Sequence, residues 1–309
     1  MTTSRTRQVA RSIRVRAFAK INLTLRVLGA RPDRSHDLRT VFQSLALHDA
    51  LTFRTTPGPL RIECDNPACP ADRANLAWQA AERMWVAAGR RGAPRDLTIR
   101  IAKRIPMQGG LGGGSSDAAA TIRALAALWH AELPRARELE IAAALGADVP
   151  FFLYGGTALG VERGDVLFPL MDVPVARVTL VMPGFGVSTA DAYGWWDDRE
   201  AGALRHGRRR SVHGAAPIGS LPAGDLRNDL QGPVSEHHPE ISRLITSLCR
   251  HGASYAAMSG SGSSVFGLFE SSAAAACAAA ALGTGRWRTL VTRTLGRAAY
   301  GRLARPRLG

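Results

Sequence analysis

The chain has 309 residues, 46% of them hydrophobic and 21% charged, a balance that describes a soluble globular protein with core enough for one large domain or two packed lobes. No apolar run approaches the ~18 residues that a membrane span requires. The formal charge of +15 invites a nucleic-acid reading, but its distribution argues against one. Arg5, Arg7, Arg11, Arg14 and Arg16, then Arg205, Arg208, Arg209 and Arg210, and finally Arg286, Arg288, Arg293, Arg297, Arg302, Arg305 and Arg307 supply 16 of the 40 cationic residues. None of the 25 acidic residues lies in those stretches, so the rest of the chain sums to −1. The basicity is expected in two solvated tails and one loop, without the interleaved aromatics that base stacking needs. Cys64, Cys69, Cys249 and Cys277 lack any C-x-x-C spacing, which excludes a zinc ribbon or dithiol redox motif and points to reduced thiols in a cytoplasmic protein. The Arg-rich N-terminus has no following apolar segment of the kind a secretory signal carries.

Alternating apolar residues predict strands over 13–19, 23–28, 41–47, 51–54 and 60–64. Asn75 is the predicted cap of a helix running to about residue 88, which Gly89 ends. A strand over 97–105 leads into a glycine-rich loop, and helices follow over 116–130 and 135–145, separated at Pro134. Residues 149–153 and 157–161 read as strands on either side of Gly155-Gly156, and 178–182 as another. The Gly, Pro, Arg and Ala of 200–224 read as a loop or insertion. A helix over 241–250 precedes a strand pair over 254–269, folded around a second small-residue loop at 259–264. A helix over 271–282 and a strand over 287–294 close the body, and the last residues read as a loose tail. This mixture predicts an α+β fold in two lobes, 12–160 and 161–296, flanked by basic tails at 1–11 and 297–309.

The loop is Pro106, Met107, Gln108, Gly109, Gly110, Leu111, Gly112, Gly113, Gly114, Ser115 and Ser116, followed by Asp117 and Ala118. Five of the six residues from 109 to 114 are glycine, which lets several backbone N–H groups converge on one point. Amides gathered at the start of a helix form a phosphate site. A P-loop requires a lysine after the last glycine, and none follows. The dinucleotide fingerprint requires a glycine where Ser115 stands. A flexible linker is disfavoured because Ile99, Ile101 and Ile105 alternate as in a strand before the loop, and Ile122, Leu125 and Leu128 recur at helical spacing after it.

Lys20 and Lys103 are the only lysines among the 40 cations, and an ammonium reaches a reacting oxygen more closely than a guanidinium fork. Chance retention is the alternative. Lys20 interrupts an apolar strand, so a partner is expected. Asp148, set between Leu145-Gly146-Ala147 and Val149-Pro150-Phe151-Phe152, is either a helix cap or a functional acid, and it is a candidate partner for Lys20.

Ala19-Lys20-Ile21-Asn22-Leu23, the 106–118 loop, the 145–152 segment and the 259–264 loop occur in the order seen in GHMP kinases, which the chain resembles over roughly residues 15 to 295. Arg31-Pro32-Asp33, Asn75-Leu76, residues 155–160 and Asn228-Asp229-Leu230 support the resemblance. It implies a two-lobe fold, with an N-terminal lobe like ribosomal protein S5 domain 2, a ferredoxin-like C-terminal lobe and the active site in the cleft between them. It also implies ATP with Mg²⁺ as cofactors, and phosphorylation of the 2-hydroxyl of a CDP-linked methylerythritol in non-mevalonate isoprenoid synthesis. By the same resemblance Lys20 and Asp148 are catalytic. The 106–116 amides hold phosphates with Ser115 or Ser116 beside the metal, and Asn75 and Leu76 lie on the adenine side. Asn22, His36, Thr189 and Tyr193 fall at substrate-binding positions. One departure stands out: Asp33-Arg34-Ser35-His36 replaces the family's usual Asp-Gly-Tyr-His. A tyrosine stacked on the base is worth about 1–3 kcal/mol, which leaves Tyr193 as the aromatic for the cytosine and His36 for its edge. Three readings stay open: this kinase, a GHMP-type kinase with an altered acceptor, and an Arg-tailed nucleic-acid-binding protein that keeps the fold.

Overall fold

The computed structural model describes residues 12–33, 35–205, 226–283 and 287–309. Most of the insertion expected at 200–224 lies outside them, as do Arg34, Arg286 and the N-terminal arginines up to Arg11.

Two sheets form the frame. The first has seven strands. Its centre is a pair of 19-residue antiparallel strands, β1 (Ser12–Ala30) and β2 (His36–Arg54). Each merges two strands that the sequence predicts separately. The apparent breaks are register shifts, between Phe18 and Lys20 and between Asn22 and Thr24, where β1 bends without ending. The far edge of β2 is divided: β5 (Thr157–Glu162) pairs with residues 38–43 and β4 (Thr98–Ala102) with residues 50–54. β3 (Arg61–Cys64) runs parallel to β4, and β6 (Val166–Pro169) extends β5. The second sheet is antiparallel, ordered β10-β7-β9-β8, from β7 (Arg177–Met182), β8 (Tyr255–Met258), β9 (Val265–Phe269) and β10 (Arg288–Arg293).

Helices α1 (Leu76–Ala87), α2 (Gly113–Trp129), α3 (Arg135–Ala143) and α4 (Val149–Tyr154) cover the first sheet around Phe42, Phe53, Ile99, Leu125 and Phe151. In the second lobe α5 (Thr189–Arg205), α6 (Gln231–His237), α7 (Glu240–Arg250) and α8 (Ser272–Leu282) enclose a core with Trp196, Leu248 and Phe269. A third cluster joins the lobes, with Ile21, Leu23 and Leu45 of the first sheet packed with Leu180, Met182 and Phe266 of the second.

Three expectations change. Residues 149–153 form a helix, because Pro150 sits in the first turn, where its fixed φ favours helix and its missing N–H costs nothing. Residues 189–205 form helix α5, which takes in residues 200–205 of the loop expected over 200–224. The C-terminal segment is docked on the body: α9 (Arg297–Leu303) packs beneath Phe18, and β11 (Arg307–Leu308) pairs with β1. Tyr300 is buried and donates from Oη to the Phe152 carbonyl at 2.6 Å. Arg297 donates to the Thr157 carbonyl, so this cation works inside the fold. Tyr300→Phe is expected to cost about 1 kcal/mol, the net worth of one buried hydrogen bond, read as a lower urea midpoint at unchanged slope. An unchanged midpoint would show that this bond does not hold the C-terminal segment in place.

Candidate active site

The glycine-rich loop is suspended between β4 and α2. Gly112 caps α2 with φ +70°, and Gly110 has φ +71°, both in the left-handed region that glycine tolerates. Close approach adds a second requirement. A Cβ on Gly110 would lie 2.1 Å from the Ser259 carbonyl oxygen, and one on Gly112 would lie 2.6 Å from the Phe152 ring. The loop meets the 259–264 loop of the other lobe directly: Ser259 Oγ donates to the Gly110 carbonyl at 2.9 Å, and the Ser264 amide to the Gly109 carbonyl at 3.3 Å. Gly110→Ala is therefore expected to push these two loops apart and raise the KM for ATP about tenfold or more, since a displacement near an ångström is costly at such a site. A normal KM in that variant would mean that the contact has no part in binding.

Beneath the loop lies a buried ionic network. Lys103 Nζ is 2.5 Å from Asp49 Oδ2 and 3.0 Å from Asp117 Oδ2, and all three side chains are almost fully buried. Asp49 Oδ1 also accepts the Arg104 and Ile105 amides, at 2.5 and 2.8 Å. One end of the loop is thus tied to β2 through Asp49, and the other, in the second turn of α2, through Asp117. Burial disfavours the Lys103 charge, but Asp117 and Asp49 more than offset it, and Lys103 titrates above the ordinary lysine range. Burial lifts the Asp117 carboxyl to about 7 against the pull of Lys103. The scarcity of lysine marks position 103 in the sequence. Nothing in the sequence pattern marks Asp49 and Asp117 as its partners, because they come from separate elements.

The second lysine sits above the loop. The bend in β1 leaves the Lys20 amide free to donate to the Leu111 carbonyl at 3.0 Å, which ties the strand to the loop. Lys20 Nζ donates to Asn22 Oδ1 at 2.7 Å and lies 3.1 Å from Asp148 Oδ2. Asn22 Nδ2 in turn donates to Thr40 Oγ1 at 2.7 Å, and Thr40 to the Thr24 carbonyl at 2.7 Å. Lys20 Nζ is thus held between Asn22 and Asp148, and Asn22 is itself fixed through Thr40. Asp148 immediately precedes α4, yet its side chain makes no capping hydrogen bond. Of the two roles left open by the sequence, the cap is not used. The carboxylate is about one-third exposed and faces the cleft, while Lys20 is only 4% exposed.

Two cavities meet at the loop. The larger, about 1180 Å³, is lined by Lys20, Asn22, Ser35, His36, Asp148, Thr189 and Tyr193, among others. The smaller, about 280 Å³, is lined by Asn75, Leu76, Pro106, Met107, Gly109, Leu111, Gly113 and Gly114, with Lys103 and Asp117 at its base. Gln108, Gly110, Gly112 and Ser115 line both. Ser116 lines neither; it is buried in α2, and its Oγ has no hydrogen-bond partner among the described residues. Asn75 lines the small cavity and also caps α1, accepting from the Ala77 amide at 2.9 Å and donating to the Pro70 carbonyl at 2.7 Å. Thr189 Oγ1 lies 3.2 Å from Ser261 Oγ.

At the far end of the large cavity, His36 stacks on Tyr193 with centroids 4.6 Å apart. Ser35 turns its hydroxyl to Asp33 Oδ1 at 2.5 Å and offers no flat face. Asp197, which the sequence reading does not single out, lies 2.9 Å from His36 Nε2. Burial raises the Tyr193 phenol, and nearby Asp148 adds to that effect, so the ring enters the site neutral. Among the described residues no group of three or more His, Cys, Asp or Glu side chains forms a metal cluster, and no helix is long and apolar enough to cross a membrane.

Known proteins resemble this chain in sequence and in fold. Residues 75–156 match the GHMP kinases N terminal domain, and residues 203–286 match the GHMP kinases C terminal domain. A 4-diphosphocytidyl-2-C-methyl-D-erythritol kinase of Solibacter usitatus is 45% identical over 84% of this chain and 82% of its own length. A kinase of the same name from Moorella thermoacetica is 39% identical over 90% of this chain and 98% of its own. A crystal structure of 4-(cytidine 5'-diphospho)-2C-methyl-D-erythritol kinase superposes with a TM-score of 0.71 at 35% identity, covering 92% of this chain and 99% of that one. Homoserine kinase from Cytophaga hutchinsonii, at 18% identity and a TM-score of 0.67, shares the fold. The chain belongs to the GHMP kinases, and within them to the family of the 4-diphosphocytidyl-2-C-methyl-D-erythritol kinases.

Proposed function

We propose that the protein transfers the γ-phosphoryl group of ATP to the 2-hydroxyl of 4-diphosphocytidyl-2-C-methyl-D-erythritol. The observation that carries this reading is the junction of the two cavities at Gln108, Gly110, Gly112 and Ser115, with the Lys20–Asp148 pair lining the larger one. A nucleotide in the small cavity, with its phosphates on the loop amides, directs its terminal phosphate towards an acceptor in the large one. Phosphoryl transfer asks the protein mainly for alignment and for neutralisation of oxygen charge. Asp148 orients the acceptor hydroxyl and accepts its proton. Lys20 pairs with Asp148 at 3.1 Å and offsets negative charge as the phosphoryl group moves.

Magnesium fits the site as a companion of ATP. Ser115 offers a hydroxyl on both cavities, whereas Ser116 is buried and lines neither, and Mg²⁺ at nucleotide sites takes most of its ligands from phosphate and water. When bound it neutralises phosphate charge. Asn75 and Leu76 flank the adenine side, and Asn22, His36, Thr189 and Tyr193 receive the acceptor.

The Ser35 departure supports a second reading, a kinase of this type with a different acceptor, because position 35 lines the large cavity without an aromatic face. An ADP-release assay separates the two. CDP-linked methylerythritol is expected to drive ATP turnover well above UDP- or ADP-linked analogues and simple polyols. A polyol that outcompetes it would select the second reading instead.

A further inference from the structure

Asp197 takes no part in the transfer just described, yet it makes the one hydrogen bond to the His36 ring among the described residues. It lies one helical turn beyond Tyr193 on α5, so a single helix face supplies both the ring that stacks on His36 and the carboxylate that binds its edge. Trp196 closes another side, with its ring 5.7 Å from His36 and nearly perpendicular to it. The imidazole is 7% exposed and lines the large cavity.

An ionised carboxylate only accepts hydrogen bonds, so the 2.9 Å contact puts the proton of a neutral ring on Nε2. Nδ1 is then an acceptor, and it has no partner among the described residues. An acceptor at that edge pairs with an exocyclic amine and opposes a carbonyl. Cytosine and uracil differ in that way at the 4-position of the ring.

We propose that Asp197 is a specificity-positioning residue: by holding His36 in the Nε2-protonated tautomer, it makes the base end of the large cavity select an aminopyrimidine nucleotide over an oxopyrimidine one. The inference rests on the proposed function, which brings the cytidine end of the acceptor to His36.

The test compares kcat/KM for CDP-linked and UDP-linked methylerythritol at about pH 8, where an ordinary imidazole is neutral. Wild-type protein is compared with Asp197→Asn, whose amide either donates or accepts, and with Asp197→Glu, which only accepts. The wild-type preference for the CDP-linked substrate is expected to fall about tenfold or more in Asp197→Asn, through KM rather than kcat, with the KM for ATP unchanged. Asp197→Glu is expected to retain most of it. The imidazole ¹⁵N spectrum should report a protonated Nε2 at His36 in wild type and a tautomer mixture in Asp197→Asn. Discrimination equal to wild type in Asp197→Asn, or an equal fall in kcat for both substrates, would overturn the inference and leave the proposed function standing. Wild-type protein that turns over neither substrate would overturn both.

Discussion

Asp148→Asn is expected to lower kcat by about 10²–10⁴-fold while the KM for ATP stays within about twofold of wild type. The amide keeps the size of the side chain but can neither take the hydroxyl proton nor attract Lys20. ATP affinity is spared because the phosphate cradle is built from loop amides and α2, and Asp148 lines only the acceptor side. Lys20→Arg should lose turnover to a similar degree for a steric reason. A Cβ on Gly112 would lie 3.2 Å from Lys20 Cε, and one on Gly260 would lie 3.5 Å from Nζ, so the backbone closes around the ammonium on two sides and has no room for a guanidinium. Single-turnover kinetics with bound ATP check both variants. Near-normal rates in the pair would remove Asp148 and Lys20 from the chemistry.

Lys103→Met is expected to destabilise the fold by about 3–5 kcal/mol, because it leaves Asp49 and Asp117 buried together without a counter-charge. The effect belongs to the network as a whole. Adding Asp117→Asn to Lys103→Met removes one of the two carboxylates and should return part of the loss, so the double variant is less destabilised than the single effects would sum to. Urea denaturation of the four proteins measures the coupling. Additive losses would mean that Lys103 and Asp117 act independently, against the 3.0 Å contact between them.

Much of this site is legible in the sequence because its parts carry local chemical signatures. Glycines at 109–114, a lysine at position 20 in an apolar strand and an acid beside Pro150 each break a local rule, and such breaks gather where function overrides propensity. The two-lobe α+β frame follows from apolar periodicity in the same way. What the sequence does not disclose is long-range pairing. Asp49 is a strand residue 54 positions from Lys103, and no local pattern links the two. Asp197 resembles any acid on an amphipathic helix until the fold brings His36 to it across 161 residues. The 149–153 segment reads as a strand because a short apolar run fits either period, and Pro150 decides for the helix. The docked C-terminal segment is obscured by its arginines, of which Arg297 spends its charge on buried carbonyls.

Product analysis reads the phosphoryl transfer itself. Wild-type protein incubated with ATP, Mg²⁺ and 4-diphosphocytidyl-2-C-methyl-D-erythritol is followed by ³¹P NMR and mass spectrometry beside Asp148→Asn. One phosphoryl group is expected to be gained at the 2-hydroxyl for each ADP released, and almost none with Asp148→Asn on the same timescale. An unmodified alcohol with wild-type protein, or equal product from both proteins, would contradict the proposed transfer.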